Sequence, residues 1–363
     1  MKTLLYLTAF PPCQKTGGQA FSVNAIKELS QKYEITLIFF SYPEHNCEFQ
    51  PCENIKSVEK IQINKFDIFK HFWIHPIFTR RFNRSFLHHL QNMAQNYDII
   101  YFDFSQVALY SLFINHPYKV LRMHDVLCQK FSRKNWLLAK WICKTEKKIV
   151  RSVEKVFVPS KKDAEIIEKK YGVEALFTNE YLKQISFPTA LEQKNQYVFY
   201  GYWKRPENTD GLILFIENVI PVLKSEYNFL VIGGGLDSGL VEKYLKPNKI
   251  EYMGFVNEPL SIIMQSSAVI VPLFQGAGVK VKVIDSFTAG TPVIGTCLAF
   301  EGLPNIPRLS FHAESIDHFA QVIKSFEPIS YKEKKELAKQ FNEIYNNHHL
   351  LEQIEDDVLE VSK

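Results

Sequence analysis

Residues 268–295 read AVIVPLFQGAGVKVKVIDSFTAGTPVIG, and this stretch decides the fold. An apolar run ends at Pro272, and a loop containing Gly276 and Gly278 follows it. A helical pattern then closes at Gly290, just before the next apolar run. Strand, helix and strand in succession form a βαβ unit, which pairs parallel strands. The stretch therefore predicts an α/β protein built on a parallel sheet.

The same alternation of apolar runs and helical patterns extends along most of the chain, in two series. After Val158, Ser160 and Asp163 predict a helix N-cap, and Gly172 predicts its end. The predicted strands of the two series are Thr3–Phe10, Glu34–Phe40, Ile99–Phe102, Val120–Met123 and Val156–Val158, then Tyr197–Tyr200, Phe229–Ile232, Glu251–Phe255, Ala268–Pro272 and Pro292–Gly295. Each series predicts one Rossmann-like domain.

Length and composition agree with two soluble domains. A chain of 363 residues exceeds what one core usually organises. The polar stretch Phe177–Gln196 has little periodicity and contains the predicted boundary. We predict a first domain at 1–187, a second at 188–340, and a C-terminal helix at 341–363 that packs back toward the first domain.

Cysteine usage and the N-terminus indicate a cytoplasmic protein. The six cysteines have scattered spacings without a C-x-x-C pair, which favours reduced thiols over a disulfide framework. Cys47 and Cys52 near His45 are the one metal candidate, and ordinary loop cysteines are the favoured interpretation. The apolar N-terminus lacks a cleavage site, and no apolar run approaches the ~20 residues of a spanning helix. Any membrane contact is therefore expected to be peripheral.

Two segments mix aromatic and basic side chains, although the net charge is only +4. The segment from Lys130 to Arg151 contains eight Lys or Arg residues and a single acid, Glu146, with two tryptophans interleaved. The segment Phe66–Leu90 is similar in character. These segments predict binding to anionic lipid, with a partly buried helix bearing a solvated basic face as the alternative. Nucleic acid is not expected, because no nucleic-acid motif accompanies the charge. The side chains on which the second segment's prediction rests are Phe66, Phe69, Lys70, Phe72, Trp73, Ile77, Phe78, Arg80, Arg81, Phe82, Arg84 and Phe86.

The loop before Val279 has the features of a phosphate-binding site. Glycines allow the backbone to approach a ligand, and the helix that follows directs its first amide groups toward the loop. Lys280 and Lys282 add positive charge there, and Asp285 can accept hydrogen bonds from sugar hydroxyls. The alternative is a pair of solvated lysines at a helix start.

Here the sequence resembles glycosyltransferase family 4, whose members have the two-domain GT-B fold with an interdomain cleft. The resemblance implies that Lys280 and Lys282 hold the donor diphosphate and that Asp285 binds the ribose. Two positions depart from the family pattern. Asp285 replaces the usual glutamate, which suggests an altered ribose fit. Ala277 replaces the upstream acid, which leaves the donor-sugar contacts in doubt.

The resemblance covers most of the chain. In the second domain it implies nucleobase recognition near Gly233, Phe255 and Val256. It also implies phosphate contacts from Lys204 and Arg205, because Tyr202 and Asp210 stand where the family has basic residues. A structural role for that loop is an equal alternative. The glycines at 233–235 do not continue into a dinucleotide fingerprint, since Ser238 stands where the third glycine is required.

In the first domain the resemblance implies that Gly17 and Gly18 form the loop that bends around the donor phosphates. It also places His124 beside the reacting sugar and Asp125 on the acceptor side. Both follow a predicted strand, and ligands bind at the carboxyl ends of such strands. A plain turn at Gly17 and Gly18, and a structural role for His124, are the alternatives.

These residues predict a glycosyltransferase that moves a sugar from a nucleotide-sugar to a glycan or lipid-linked acceptor in cell-surface polysaccharide synthesis. No D-x-D motif follows a strand, so we expect no metal and no other cofactor. Retention of stereochemistry is what the resemblance implies. The alternatives are a nucleotide-sugar epimerase of the same architecture and a catalytically silent partner subunit.

Overall fold

The computed structural model describes residues 1–13, 17–42, 49–63, 74–133, 135–178, 185–223, 227–345 and 354. The predicted α/β class is confirmed, because these residues form two sheets of parallel strands flanked by helices. The chain divides into two compact units. The N-terminal unit is Met1–Tyr181 with His348–Lys363, and the C-terminal unit is Leu182–Asn347. The cleft expected between domains stays a prediction.

In the N-terminal unit, seven described strands form one sheet in the order β3-β2-β1-β4-β5-β6-β7. The central strands are buried on both faces, as expected when helices cover a parallel sheet. The strands are β1 Lys2–Thr8, β2 Tyr33–Ser41, β3 Ile55–Gln62, β4 Ile99–Asp103, β5 Lys119–Arg122, β6 Lys155–Val158 and β7 Leu176–Phe177.

The described helices of this unit connect consecutive strands. The N-cap predicted at Ser160 is confirmed, because its hydroxyl accepts a hydrogen bond from the Asp163 amide. Gly172 ends the same helix with a left-handed φ of 67°, also as predicted. The helices are α1 Gly17–Leu29, α2 Pro76–Thr79, α3 Arg84–Ala94, α4 Leu127–Ser132, α5 Trp136–Val150 and α6 Lys161–Tyr171, with a 3₁₀ helix at Ala108–Phe113.

The segment predicted as an interfacial helix at Phe66–Leu90 is different in the structure. Phe66, Phe69, Lys70, Phe72 and Trp73 lie outside the described residues. The described remainder forms α2 and α3, two separate helices.

The aromatic side chains of α2, α3 and the turn between them face inward. Phe78, Phe82 and Phe86 are buried in the core of the unit, and Arg81 is buried with them. The membrane interpretation was therefore wrong for these side chains. Aromatic content alone does not show on which side of a helix the core lies.

The expectation of reduced thiols was also wrong for three of the described cysteines, Cys13, Cys128 and Cys143, which are disulfide-bonded. Cys128 and Cys143 form a disulfide that joins α4 to α5. The spacing of these cysteines in the sequence does not predict this disulfide, because the packing of two helices brings the two sulfurs together. Cys47 and His45 of the metal candidate lie outside the described residues.

In the C-terminal unit, six described strands form a second parallel sheet, in the order β10-β9-β8-β11-β12-β13. Its central strand β11 is buried along its whole length. The strands are β8 Lys194–Tyr200, β9 Phe229–Ile232, β10 Glu251–Gly254, β11 Ser266–Val271, β12 Val293–Gly295 and β13 Ser310–His312.

Helices surround this sheet as well. Lys334 is buried in the helix Tyr331–Tyr345 and donates hydrogen bonds to the carbonyls of Met264 and Ser266, so that helix is fixed to the start of β11. Ile354, the one described residue near the C-terminus, is buried in a core cluster of the N-terminal unit. The helices are α7 Pro206–Asn218, α8 Ile220–Leu223, α9 Ser238–Leu240, α10 Pro259–Gln265, α11 Val281–Thr288, α12 His318–Ser325 and α13 Tyr331–Tyr345, with a π-helical turn at Val241–Leu245.

Candidate active site

The glycine loop after β11 has the geometry that its sequence predicts. Gly276 and Gly278 have φ angles of 117° and 73°, which favour glycine. Lys280, which directly follows Val279, is the N-cap of α11, so the helix begins two residues later than Val279. The first amide groups of α11 therefore point back toward the loop, and an anion is stabilised at such a helix start.

Lys282 lies in the first turn of α11 and is half-buried. The Nζ atom donates to Asn208 Oδ1 at 2.8 Å and lies 5.9 Å from the Trp203 ring centroid. Burial, followed by the nearby positive charges of Arg205 and Lys280, lowers the pKa of Lys282 to about 7. Within the described ranges no carboxylate lies within salt-bridge distance of it. The charges of Arg205 and Lys280 therefore make the surroundings of Lys282 cationic, and the charge of Glu207 opposes them only in part.

Lys280 is held differently from Lys282. Its Nζ atom donates to the Gly278 carbonyl and lies 3.9 Å from Glu301 Oε2. Glu301 is buried and belongs to the Phe300–Leu303 stretch that follows β12. The contact keeps the Lys280 ammonium at the glycine loop, where a bound phosphate can share it with Glu301.

The loop after β8 brings further cations to the same edge of the sheet. Lys204 and Arg205 are exposed, and Arg205 is the N-cap of α7. A side chain at Gly201 would place its Cβ 3.0 Å from the Lys282 Nζ atom, so this glycine leaves room for the ammonium. The structure therefore brings Arg205, Lys280 and Lys282 together, as the sequence predicts for a phosphate site.

The neighbouring loops after β9 and β10 are packed tightly against this one. Gly233 has a φ of 111°, and a Cβ there would lie 1.9 Å from the Gly201 carbonyl oxygen. Phe255 is 70% exposed, and a Cβ added at Gly234 would lie 3.6 Å from the Phe255 Cβ. Val256 follows it half-buried. An exposed ring beside a glycine turn presents a flat apolar surface on which a planar base can stack.

Asp285 is buried and its carboxylate interacts with the Tyr200 hydroxyl. Burial and the charge of Asp285 raise the pKa of Tyr200. Because Tyr200 is the last residue of β8, this contact ties α11 to the strand that precedes the basic loop. A ribose contact by Asp285 stays a prediction, and it would require that the carboxylate also reach a ligand hydroxyl.

In the N-terminal unit, His124 follows β5 and Asp103 ends the neighbouring strand β4. His124 Nε2 lies 2.6 Å from Asp103 Oδ1. The second oxygen of the buried Asp103 carboxylate accepts hydrogen bonds from the Thr8 and Ser22 hydroxyls. The carboxylate is thus fixed on both sides and orients the imidazole. The nitrogen left for a substrate is Nδ1.

Phe104 and Gly18 enclose the other side of the imidazole. The Phe104 ring stacks on His124 with 3.7 Å between centroids, although its φ of 81° is unfavourable for a bulky residue. Such backbone strain is found most often at functional sites. A Cβ at Gly18 would lie 3.2 Å from the Phe104 ring and 3.9 Å from His124 Nδ1. Gly17 begins α1 directly before it, so the glycine pair brings a helix start to the histidine.

Asp125 is turned toward a lysine. Its Oδ2 atom forms an ion pair with Lys130 Nζ at 2.8 Å, within the same segment. Asp125 lies just before the N-cap of α4. Its role on the acceptor side stays a prediction.

Sequence reasoning missed Asp103, Asn208 and Glu301. Asp103 carries the signal that identified His124, because it too is a polar residue directly after an apolar strand. Asn208 and Glu301 carry no such signal, since one lies inside a helix and the other follows a short turn. Among the described residues, no group of three or more His, Cys, Asp or Glu side chains could hold a metal ion.

Two family models match the chain. A model described as Glycosyltransferase Family 4 matches residues 16–176, and one described as Glycosyl transferases group 1 matches residues 194–326. Together they cover most of the sequence and divide it as the two units do. None of the curated proteins matches the sequence significantly.

Several solved structures have the same fold at low sequence identity. HepE of Anabaena, crystallised with UDP, matches with a TM-score of 0.66 at 12% identity, covering 99% of each chain. A TarM structure matches with a TM-score of 0.65 at 13% identity, over 99% of this chain and 98% of TarM. WaaG, a glycosyltransferase involved in lipopolysaccharide biosynthesis, matches at 0.59 and 15% identity over 98% of each chain. At such identities the likeness shows the GT-B fold.

Proposed function

The chain belongs to the glycosyltransferases of group 1 and family 4, and we propose that it transfers a sugar from a nucleoside-diphosphate sugar to a hydroxyl of a glycan or lipid-linked acceptor. UDP-sugars are the first donors to test, because HepE was crystallised with UDP-glucose. Cell-surface polysaccharide synthesis is the proposed setting, by analogy with WaaG.

The observation that carries this proposal is the half-buried ammonium of Lys282 at the start of α11, which bonds to the neutral Asn208 amide oxygen. A desolvated cation without a carboxylate partner is costly, and a bound diphosphate would offset that cost. Lys280 and Arg205 lie close enough to share the same anion. Three cations and a helix start are the groups that a leaving diphosphate requires.

In the proposed reaction, the bond from the anomeric carbon to the diphosphate oxygen breaks, and the electron pair leaves with the diphosphate. The acceptor hydroxyl forms the new bond to that carbon and loses its proton. Negative charge therefore grows on the phosphate oxygens, where Lys280 and Lys282 stabilise it. A well-placed group of this kind contributes roughly 3 kcal/mol, or ~100-fold in rate. We propose that no metal ion is needed and that the configuration is retained.

His124 is proposed to contact the sugar and acceptor through Nδ1. Asp103 holds the imidazole in one orientation through Nε2, so that Nδ1 is the ring nitrogen that faces a substrate hydroxyl. Gly18 keeps that side of the ring open, since a side chain there would crowd it.

Calorimetric titration with UDP, GDP and ADP, followed by assays with the matching nucleotide-sugars, tests the donor proposal. We expect one nucleotide to bind, and we expect Lys280→Ala and Lys282→Ala to reduce transfer about 100-fold in a folded protein. Near-normal transfer by the folded double variant would contradict the proposal. Conversion of the donor without an acceptor would instead identify an epimerase.

We also propose peripheral contact with the cytoplasmic face of an anionic membrane through the first turns of α5. Trp136 and Leu137 are 61% and 60% exposed, and Leu138 is exposed beside them. Lys140 Nζ lies 4.4 Å from the Trp136 ring centroid, and Lys144, Lys147 and Lys148 continue the exposed basic face. Exposed apolar side chains beside lysines suit the headgroup boundary of anionic lipid. No described helix is long and apolar enough to cross a bilayer.

Vesicle sedimentation tests this surface. We expect the protein to pellet with phosphatidylglycerol vesicles more than with phosphatidylcholine vesicles, and salt to weaken the binding. The variant Trp136→Ala/Leu137→Ala should lose the binding. Val58→Ala, which removes an exposed apolar residue from β3, is the control. Equal pelleting of both variants would rule out this surface.

A further inference from the structure

Arg81 is a buried guanidinium that the proposed transfer does not use. It follows α2, and only 6% of its surface is exposed. Nε donates to the Ala9 carbonyl at 2.7 Å, and the guanidinium carbon lies 4.4 Å from the centroid of the Phe10 ring. The side chain is therefore held at the carboxyl end of β1, the edge on which parallel sheets bind ligands.

Among the described residues, no hydrogen bond of the two outer nitrogens of this guanidinium is found. Within the described part of the chain, Ala9 supplies its one hydrogen bond, and no carboxylate lies within salt-bridge distance. The charges that act on it are those of Tyr42 and of the neighbouring cation Arg80. Burial, the larger effect, lowers the pKa of Arg81 to about 10, which still leaves it charged near neutral pH.

A guanidinium in this environment would be stabilised by a bound anion. A buried ionised group without a counterion destabilises a fold, and native proteins almost always satisfy buried donors. The planar guanidinium presents its two outer nitrogens as a fork that matches two oxygens of a phosphate or carboxylate. The aromatic face of Phe10 supports the guanidinium from one side, so the fork is fixed in orientation.

A continuous row of rings connects Arg81 to His124. Phe10 contacts the Phe104 ring edge-on at 5.1 Å between centroids, and Phe104 stacks on His124. The strands that carry these residues, β1, β4 and β5, are neighbours in the sheet. Two strand spacings are about 10 Å, which is the distance expected between the two groups along this edge.

We propose that Arg81 is a binding residue for an anionic group of the acceptor, with phosphate as the class of ligand. The inference rests on the proposed function and adds to it the chemistry of the acceptor. The acceptor carries a phosphate about 10 Å from the hydroxyl that approaches His124. A phosphomonoester on a glycan and a lipid-linked diphosphate share this chemistry.

The backbone around Arg81 supports a preformed site. Tyr110 donates from its hydroxyl to the Arg81 carbonyl at 2.7 Å and accepts from the amide of Asn83 at 2.8 Å. The turn between α2 and α3 is thereby fixed to the core. The ligand is expected to find the guanidinium in place rather than to order it.

Inorganic phosphate and pyrophosphate are the probes, with acetate as the carboxylate probe. Titrations are carried out on Lys282→Met protein, which lacks the Lys282 ammonium of the other unit. This protein is the parent into which the Arg81 and Arg80 variants are introduced. The guanidinium NMR signal of Arg81, assigned by its loss in Arg81→Lys, should shift and saturate with phosphate. In Arg81→Met the Kd for phosphate should rise at least ten-fold. Arg80→Met, which changes the exposed neighbour, should bind as the parent protein does.

Stronger binding of pyrophosphate than of phosphate would indicate a lipid-linked diphosphate, and the reverse would indicate a phosphomonoester; either result supports the site. An Arg81 signal that does not move at about 50 mM of each probe, well above the ~1 mM Kd of even a weak site, would overturn it. Equal phosphate affinity in Arg81→Lys, Arg80→Met and the parent would overturn it as well. If Arg81→Met fails to fold, the NMR titration of the parent decides. None of these measurements needs transfer activity. Failure of the Arg81 site can therefore be distinguished from failure of the proposed function.

Discussion

Replacing Lys282 by Met should stabilise the unliganded protein and weaken its binding of nucleotide. Lys282 is half-buried, and its ammonium bonds to one neutral amide oxygen and lies near Arg205 and Lys280. Met has a similar length without the charge, so it can occupy the same space. Replacing a buried charge by an apolar residue is often stabilising by about 1–4 kcal/mol.

The magnitude follows from the pKa of Lys282. Its ordinary value is 10.5, and burial lowers it to about 7 in the folded protein. Between these values the unfolded chain binds a proton that the folded protein does not. The free energy of unfolding must therefore rise with pH across this window, and stability is lost as pH falls toward 7. From pH 7 to 8.5 the expected rise is roughly 1.5 kcal/mol.

Urea unfolding at pH 7 and pH 8.5 measures this effect. The variant lacks the titrating group, so the difference between wild type and Lys282→Met should change by that amount. Other titrating groups cancel in the difference. Lys324→Met, which removes an exposed lysine from α12, should leave the pH dependence unchanged.

Calorimetry with UDP provides an independent measurement of the same pKa. If the diphosphate binds the protonated form, wild-type affinity falls about 15-fold between pH 7 and 8.5, where the phosphates are already ionised. The Lys282→Met variant should bind weakly and without this slope. Superimposable pH profiles for wild type and variant, in both unfolding and binding, would refute a half-buried, ligand-neutralised ammonium.

Three further predictions concern other buried groups. Asp103→Asn should lower kcat about 100-fold with little change in the donor KM, because the imidazole loses its fixed orientation; steady-state kinetics of the folded variant, checked by circular dichroism, decide. Gly233→Ala should cost more than ~2 kcal/mol in urea unfolding, since its Cβ would overlap a carbonyl oxygen, whereas Gly254→Ala meets no atom within 4 Å and should cost less. Burial raises the pKa of Glu146 to about 7 from 4.5, so the folded protein binds its proton more tightly. The stability advantage of wild type over Glu146→Gln should therefore be largest below pH 4.5 and fall by about 2–3 kcal/mol as pH rises to 7.5; a constant difference would contradict this.

The sequence alone was sufficient to predict those candidate site residues that lie directly after a strand. In a parallel sheet the carboxyl ends share one edge, so His124 after β5 and the glycine loop after β11 could be placed without coordinates. Helix punctuation was equally local, as Ser160 and Gly172 show. These features depend on neighbours within a few residues, which a single sequence displays.

What the sequence could not supply are partners brought together over long separations. Asn208 and Lys282 are 74 residues apart, and Asp103 and His124 are 21 apart. Their spacing in the chain carries no signal, because strand order decides which loops meet. The disulfide between Cys128 and Cys143 is missed for a related reason: its geometry comes from the crossing of two helices.

The segment at α2 and α3 shows a different limit. Its aromatics and cations favour a membrane surface by composition, yet Phe78, Phe82 and Phe86 belong to the core. The periodicity of apolar residues indicates that a face is buried without indicating what buries it. The same composition in α5 leaves Trp136 and Leu137 exposed, so only coordinates separate the two cases.

Arg81 and Lys282 share a physical condition in two different units. Each is a cation at the carboxyl edge of a parallel sheet, Arg81 buried and Lys282 half-buried. Each bonds to one neutral oxygen and has no carboxylate within salt-bridge distance in the described ranges. A glycosyl transfer of the proposed kind needs an anion on the donor, and a phosphorylated acceptor would supply a second. If both cations serve as argued, the two substrates neutralise separate sites, and each should stabilise the protein on its own. A thermal shift with UDP that vanishes in Lys282→Met but persists in Arg81→Lys would establish one half of that independence. A shift with phosphate that persists in Lys282→Met but vanishes in Lys282→Met/Arg81→Lys would establish the other half, and loss of both shifts in either single variant would refute it.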